Sequence, residues 1–217
     1  TLERIKSSLF DSPIISTNSK YLKEIKNFLK KNKIKKYKIV LEPAKKNTGP
    51  AILATALIKD IPQKQPMIFL TADHLIEKVG KFNTQIRKNK KYLTDKNIFI
   101  FGIKPNTPSN QFGYFISKRK KNLINVSKFI EKPNQTKAKN LIKKGGYWNS
   151  GIFLLRKDSL INNFKKYQKK IYYNTVLAVT KSKQRNNIYY LNKKAFIKNP
   201  SKSFDYAILE KTKAIFA

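Results

Sequence analysis

Two rhythms of apolar and polar positions take turns along this chain. In KYLKEIKNFLKKN, residues 20–32, Tyr21, Leu22, Ile25, Phe28 and Leu29 fall on one helical face, the three-and-four spacing of an amphipathic helix. Asn18 or Ser19 is placed to cap it, a side-chain oxygen taking up an otherwise unpaired amide. TLERIKSSLF ahead of it reads as the end of a helix, and SPIIST as a short strand. KYKIVLEP is the next strand, stopped by Pro43, and Thr48 is placed to cap a small-residue helix, GPAILATALIKD. Pro50 sits in the first turn of that helix, where a missing N–H does no harm. PMIFLTADH reads as a strand whose apolar run predicts burial on both faces, as in a parallel sheet. An amphipathic helix around VGKFNTQIRKNKKYL and a strand, NIFIFGI, complete a βαβαβ succession that predicts a doubly wound sheet.

The second half changes character. GYFISKR and LINVSKFIEKP predict an antiparallel pair joined by a basic turn, followed by a helix, TKAKNLIKKG, and a strand, SGIFLLR. One long helix is expected from Asp158, through DSLINNFKKYQKKIYYNTVLAVTK, and the tail SKSFDYAILEKTKAIFA gives a short helix and the start of a last strand. With neither an internal repeat nor a low-complexity linker, residues 1–217 are expected to form a single domain.

Composition narrows the function classes. With 40% hydrophobic and 12% aromatic residues the chain has the means to bury a core and is not of the disordered class. No apolar run approaches the roughly 20 residues that span a bilayer, and TLERIKSSLF has neither the apolar core nor the cleavage site of a signal peptide. No membrane association and a cytoplasmic location are therefore expected. Zero cysteines exclude disulfides, thiolate zinc sites and cysteine nucleophiles, and one histidine excludes a multi-histidine metal site. The formal charge of +36 raises the question of a nucleic-acid partner. Against that, lysines cover the polar face of every expected helix, and lysine far outnumbers the arginine that base readout favours.

Candidate chemistry gathers where strands end. Asp73, after the apolar run of MIFLTADHLIE, stands at a strand's carboxyl end, where open α/β sheets bind ligands. A carboxylate there suits Mg²⁺; equally, it could only cap the following helix. His74 reads more simply as a structural histidine. LEPAKKNTGPA places Glu42, two lysines and a helix N-terminus in one loop, a setting that favours anions or an ordinary capped helix. FIEKP ends an apolar strand with an acid and a lysine, able to hold a sugar hydroxyl and a phosphate or to form a surface ion pair. GGYWNSGIF precedes a strand with glycines that let a ligand approach the backbone; a turn with a buried aromatic is the plainer reading.

In order along the chain, LEPAKKNTGPAI, LTADHLI, FGYFI, FIEKP, YWNSGIFLLR and SFDYAILEKT resemble the bacterial mannose-1-phosphate guanylyltransferases, which are sugar-nucleotide nucleotidyltransferases. The resemblance runs from the first residues to the last. It implies an α/β, Rossmann-like (GT-A-like) three-layer sandwich with a mixed, mostly parallel sheet. It further implies Mg²⁺-assisted transfer from GTP to mannose 1-phosphate, giving GDP-mannose and pyrophosphate for polysaccharide biosynthesis, with a homodimer as one arrangement. By the same resemblance Asp73 and Asp205 grip the metal and are catalytic together with Lys132. Glu42 faces the base, Asn47 and Thr48 line the nucleotide loop, and Gly113, Glu131, Lys132 and Asn149 hold the sugar phosphate. The family's opening strand and glycine-rich triphosphate loop have no counterpart here, and its later strands are absent too. The chain is therefore expected to be an interior piece, truncated at both ends. An inactive piece of such an enzyme, a basic nucleic-acid-binding module, and a glucose-1-phosphate uridylyl- or thymidylyltransferase stand as alternatives.

Overall fold

A computed structural model describes residues 2–120 and 123–217. The chain runs through β1 (Ile14–Asn18), α1 (Leu22–Lys31), β2 (Lys38–Glu42), α2 (Thr48–Leu57), β3 (Pro66–Phe69), α3 (Val79–Lys90) and β4 (Ile98–Ile103). It continues through β5 (Tyr114–Lys120), β6 (Leu123–Ile130), α4 (Gln135–Lys143), β7 (Tyr147–Arg156), α5 (Lys157–Tyr167) and α6 (Lys169–Thr180). Then come β8 (Lys183–Arg185), β9 (Ile188–Tyr190), α7 (Lys193–Phe196), a π-helical turn (Asp205–Leu209) and β10 (Ile215–Phe216). These elements form two compact units: Leu2–Ile61 with Gln168–Phe204, and Pro62–Tyr167 with Asp205–Ala217.

The first unit holds a four-stranded sheet in the order β1-β2-β9-β8, parallel from β1 to β9, with β8 antiparallel at its side. Ile39, Val40 and Leu41 of β2 are fully enclosed, as expected for a strand with two parallel neighbours. From α1, Leu22, Ile25 and Leu29 pack on Ile39, Leu41 and Ile188. The expected five-residue face is narrower than the sequence implied: Phe28 is 50% exposed and Tyr21 also faces outward. These two lie seven positions apart at the margin of the stripe, and Lys20 Nζ stands 4.5 Å over the Tyr21 ring. The Asn18 side chain accepts from the Lys20 amide and so caps the 3₁₀ turn Ser19–Tyr21 that leads into α1, whereas α1 itself starts after Tyr21 with no side-chain cap. The cap of α2 differs: it is Asn47, not Thr48, whose side chain accepts from the Thr48 amide. From Gly49 to Ala56 this helix is almost wholly buried, as its small residues predict.

The second unit holds a six-stranded mixed sheet in the order β3-β7-β4-β10-β6-β5. Among the described residues only β4 and β10 are parallel neighbours in it; β7 pairs antiparallel with β3, β4 and β5. β3 and β4 still run the same way, as the βαβ rhythm implies, but β7 lies between them. β3 is consequently an edge strand, half-buried along its length rather than enclosed on both faces. The antiparallel β5–β6 pair is as expected; the basic turn expected between them falls on residues 121 and 122, outside the described residues.

The long helix expected from Asp158 is two helices. Gln168 (φ −141°, ψ 55°) leaves helical geometry and separates α5 from α6. Among the described residues of TLERIKSSLF the expected helix end is a 3₁₀ turn at Leu2–Ile5, and β8, β9 and α7 have no counterpart among the expected elements. Among the described residues no helix is long and apolar enough to cross a membrane.

Candidate functional site

The register of the six-stranded sheet brings the candidate residues of the second unit to one end. Tyr114 at the start of β5 lies opposite Ile130 at the end of β6 and opposite Trp148 in β7, while Gly102 in β4 lies opposite Asn149. The carboxyl ends of β4 and β6 and the amino ends of β5 and β7 therefore meet, with a register irregularity between Ile100 and Gly102 of the kind that re-aims strand ends beside sites. A cleft of about 690 Å³ opens there, lined among others by Asp73, Gly113, Glu131, Asn149, Gly151 and Asp205. Phe82, Phe101 and Ile152 supply part of an apolar wall, the usual makeup of a small-molecule site.

At its polar centre Asn149 donates from Nδ2 to Asp205 Oδ1 at 2.7 Å, and its Oδ1 accepts from the Gly151 amide at 3.3 Å. The Asn149 amide in turn donates to the Gly113 carbonyl at 2.8 Å. Asn149 is only 9% exposed, so both ends of its side chain are committed and its first task is to hold Asp205. Gly113 sits where a side chain would strike the site: an added Cβ would lie 2.5 Å from Glu131 Oε2 and 3.2 Å from Phe129 Cζ. Gly151 has φ +69°, a conformation that glycine takes at no steric cost.

Electrostatically this centre is crowded with acid. Burial, then the charge of Asp205, push the Glu131 carboxyl up to about 7; Lys132 opposes this and Glu210 adds to it. Asp205 is also raised, chiefly by burial, against the pull of its hydrogen bonds, including the one from Asn149, and of Lys132. A cation entering here would relieve both groups, since it favours their ionised forms. Lys132 is exposed and has φ +45°, an uncommon backbone for a long side chain. Asp73 lies beyond the end of β3, exposed in the cleft wall beside half-buried His74.

The nucleotide candidates belong to the first unit. Glu42, at the end of β2, accepts from the Ser16 hydroxyl at 2.9 Å, and burial raises its carboxyl despite that bond. Asn47 has φ 65° and ψ 179°, a strained pair of angles for a non-glycine residue. The Thr48 hydroxyl accepts from the Phe204 amide at 2.9 Å. Gly49 donates to the Lys202 carbonyl at 3.0 Å, and a Cβ there would come within 2.7 Å of that oxygen.

Two residues of the acidic centre escaped the sequence reading. Gly151 carried a weak signal, a glycine inside a strand pattern. Glu210 carried none: it lies five residues after Asp205, and only the π-helical turn brings it back, its amide donating to the Asp205 carbonyl at 3.0 Å. Its Oε1 accepts from the Glu131 amide at 3.1 Å.

A family model described as nucleotidyl transferase matches residues 1–197. A mannose-1-phosphate guanylyltransferase of Escherichia coli (strain K12) is 31% identical over 98% of this chain and 46% of its own length. The alginate biosynthesis protein AlgA of Pseudomonas fluorescens is 30% identical over 98% of this chain and 45% of its own. The chain thus spans about half the length of the curated relatives it matches. A solved structure titled mannose-6-phosphate isomerase, from Helicobacter pylori, aligns with TM-score 0.87 at 28% identity, covering 98% of this chain and 84% of that one.

Proposed function

The chain belongs to the nucleotidyl transferase family, and on that premise we propose that it transfers GMP from GTP to mannose 1-phosphate, giving GDP-mannose and pyrophosphate for polysaccharide synthesis. The observation that carries this reading is the locked polar centre of the cleft, where Asn149 fixes Asp205 and Gly113 leaves room for Glu131. A hexose phosphate needs hydroxyl acceptors beside a cation for its phosphate. Glu131 supplies an acceptor, Lys132 the positive charge, and Asn149 the orientation of Asp205. The name of the Escherichia coli relative, a mannose-1-phosphate guanylyltransferase, points to the same substrate. Glu42 suits guanine, whose N1–H and N2–H₂ lie side by side as donors for one carboxylate, and Asn47 and Thr48 would line the same nucleotide.

Asp73 and Asp205 would hold Mg²⁺, which when bound supplies positive charge against the phosphate oxygens. The donor set fits that ion. Two carboxylates, Asp73 and Asp205, line the same cleft, and magnesium commonly takes one or two carboxylates plus water and substrate phosphate. Catalysis of this kind rests on placing the sugar phosphate in line with the α-phosphorus and on offsetting charge.

Pyrophosphate release from GTP and mannose 1-phosphate tests the reading. It should need both substrates and Mg²⁺, and Asp205→Asn should abolish it. Faster release with UTP or dTTP and glucose 1-phosphate would move the chain to a neighbouring specificity. No release with any pair would end the catalytic reading for this chain. Conversion of mannose 6-phosphate to its ketose, followed in parallel, would favour the activity that the Helicobacter title names instead.

A further inference from the structure

We infer that Glu210 is a positioning residue for the sugar phosphate, its carboxylate clamping the Glu131–Lys132 turn through the Glu131 backbone amide. The inference rests on the proposed reading of Glu131 and Lys132 as sugar-phosphate residues. The clamp joins segments 79 residues apart, at 3.1 Å. Glu210 is itself tied to the second segment, because its amide donates to the Asp205 carbonyl across the π-helical turn at 3.0 Å. One side chain thus sets the spacing between Asp205 and the turn that carries Glu131 and Lys132.

The turn needs such a restraint. Lys132 holds φ +45° directly before Pro133, whereas a residue before proline prefers an extended backbone with negative φ. A strained conformation persists only where its surroundings determine it. Glu210 is exposed, so core packing does not account for its place. Its charge, moreover, acts against Glu131 and Asp205. What it contributes to this site therefore comes through the hydrogen bond. Without that acceptor Lys132 would relax towards negative φ and carry its ammonium away from Glu131 and Asp205.

Glu210→Ala and Glu210→Gln separate acceptor from charge, since the glutamine amide oxygen can accept the same bond. Two quantities are read on the whole chain: hydrogen exchange at the Glu131 amide, and calorimetric affinity for mannose 1-phosphate with Mg²⁺, with free mannose as the control. In Glu210→Ala the Glu131 amide should exchange at least about tenfold faster and the Kd for mannose 1-phosphate rise by about tenfold, the scale of a hydrogen bond to a charged group. Glu210→Gln should stay within about threefold of wild type in both, because the bond is kept. Unchanged exchange in Glu210→Ala, or Glu210→Gln as impaired as Glu210→Ala, overturns the clamp. Should the wild type fail to bind mannose 1-phosphate, the substrate reading falls, while the exchange data still decide the clamp. Should Glu210→Ala fail to fold, the wild-type and Glu210→Gln exchange rates decide it.

Discussion

At the scale of single residues, Asn149 and Glu131 divide the work of the cleft. Asn149 orients Asp205 with one end of its amide and accepts from Gly151 with the other. Glu131 is the group whose protonation state is poised, at about 7. Its folded value lies above the ordinary carboxylate range, so the folded chain binds this proton more tightly than the unfolded chain does. Stability from this group is present at low pH and is lost as pH rises through 7. Glu131→Gln, which mimics the neutral acid, should unfold in urea at the wild-type midpoint near pH 4.5. Near pH 8, in EDTA, it should be more stable by about 1–2 kcal/mol, the full effect of the shift being reduced by solvent screening at this half-exposed group. An equal difference at both pH values would show that Glu131 is not held neutral. Gly113 tests the same spot sterically. An alanine Cβ would meet the tip of the Glu131 side chain at 2.5 Å, a flexible group that can move aside. Gly113→Ala should therefore cost at most about 1 kcal/mol of stability yet weaken mannose 1-phosphate binding by about tenfold or more, through loss of placed contacts. A variant that binds normally would remove Glu131 from the sugar site.

At the scale of elements, Asn47 carries the clearest test. It caps α2 while holding φ 65° and ψ 179°, so Asn47→Ala loses the cap and keeps the strain, whereas Asn47→Gly loses the cap and relieves the strain. The alanine variant should be destabilised by about 1–3 kcal/mol and the glycine variant by clearly less, as read from urea midpoints; the reverse order would mean that the backbone there is unstrained. This pair of angles also shows where sequence stops being informative. Asn and Thr are both good caps, and choosing Asn47 over Thr48 requires knowing where the backbone turns. Periodicity located α1, α2, β2, β4 and the β5–β6 pair because each shows its own local rhythm. It missed the break at Gln168 because KKYQKK contains neither proline nor glycine, and it read β3 as enclosed because an apolar run does not tell an edge strand from a central one. The insertion of β7 between β3 and β4 is a long-range pairing with no local mark. The site divides in the same way. Resemblance marked Gly113, Glu131 and Asn149, which the sheet register gathers at one end, and Asp205, which the Asn149 amide ties to them, whereas Glu210 depended on a five-residue turn that no helical or strand period reveals.

At the scale of the whole molecule the governing fact is a formal charge of +36 carried with only 12 acidic residues. Asp73, Glu131 and Asp205 line the cleft, with Glu210 bonded to the Glu131 amide, so a sizeable share of the acid gathers where a cation would be useful. Elsewhere acid serves locally: Asp60 accepts from Lys38 at 2.6 Å and from the Tyr189 hydroxyl at 2.7 Å. Most lysines have no acidic counterpart, and a large net charge of one sign strains a folded chain by self-repulsion. Screening should therefore stabilise it. Raising NaCl from about 20 mM to about 500 mM shortens the Debye length from roughly 20 Å to roughly 4 Å, and the melting midpoint should rise across that range. The same charge will draw nucleic acid at low salt, but a lysine-dominated surface offers few of the forked contacts that read bases. Fluorescence anisotropy with labelled oligonucleotides should show binding that is indifferent to sequence and strandedness, falls steeply with salt, and is weaker than about 1 μM at about 150 mM. Tighter binding at that salt, with a preference for one sequence, would make the charge a recognition surface in its own right and displace the sugar-nucleotide reading as the account of this chain's surface.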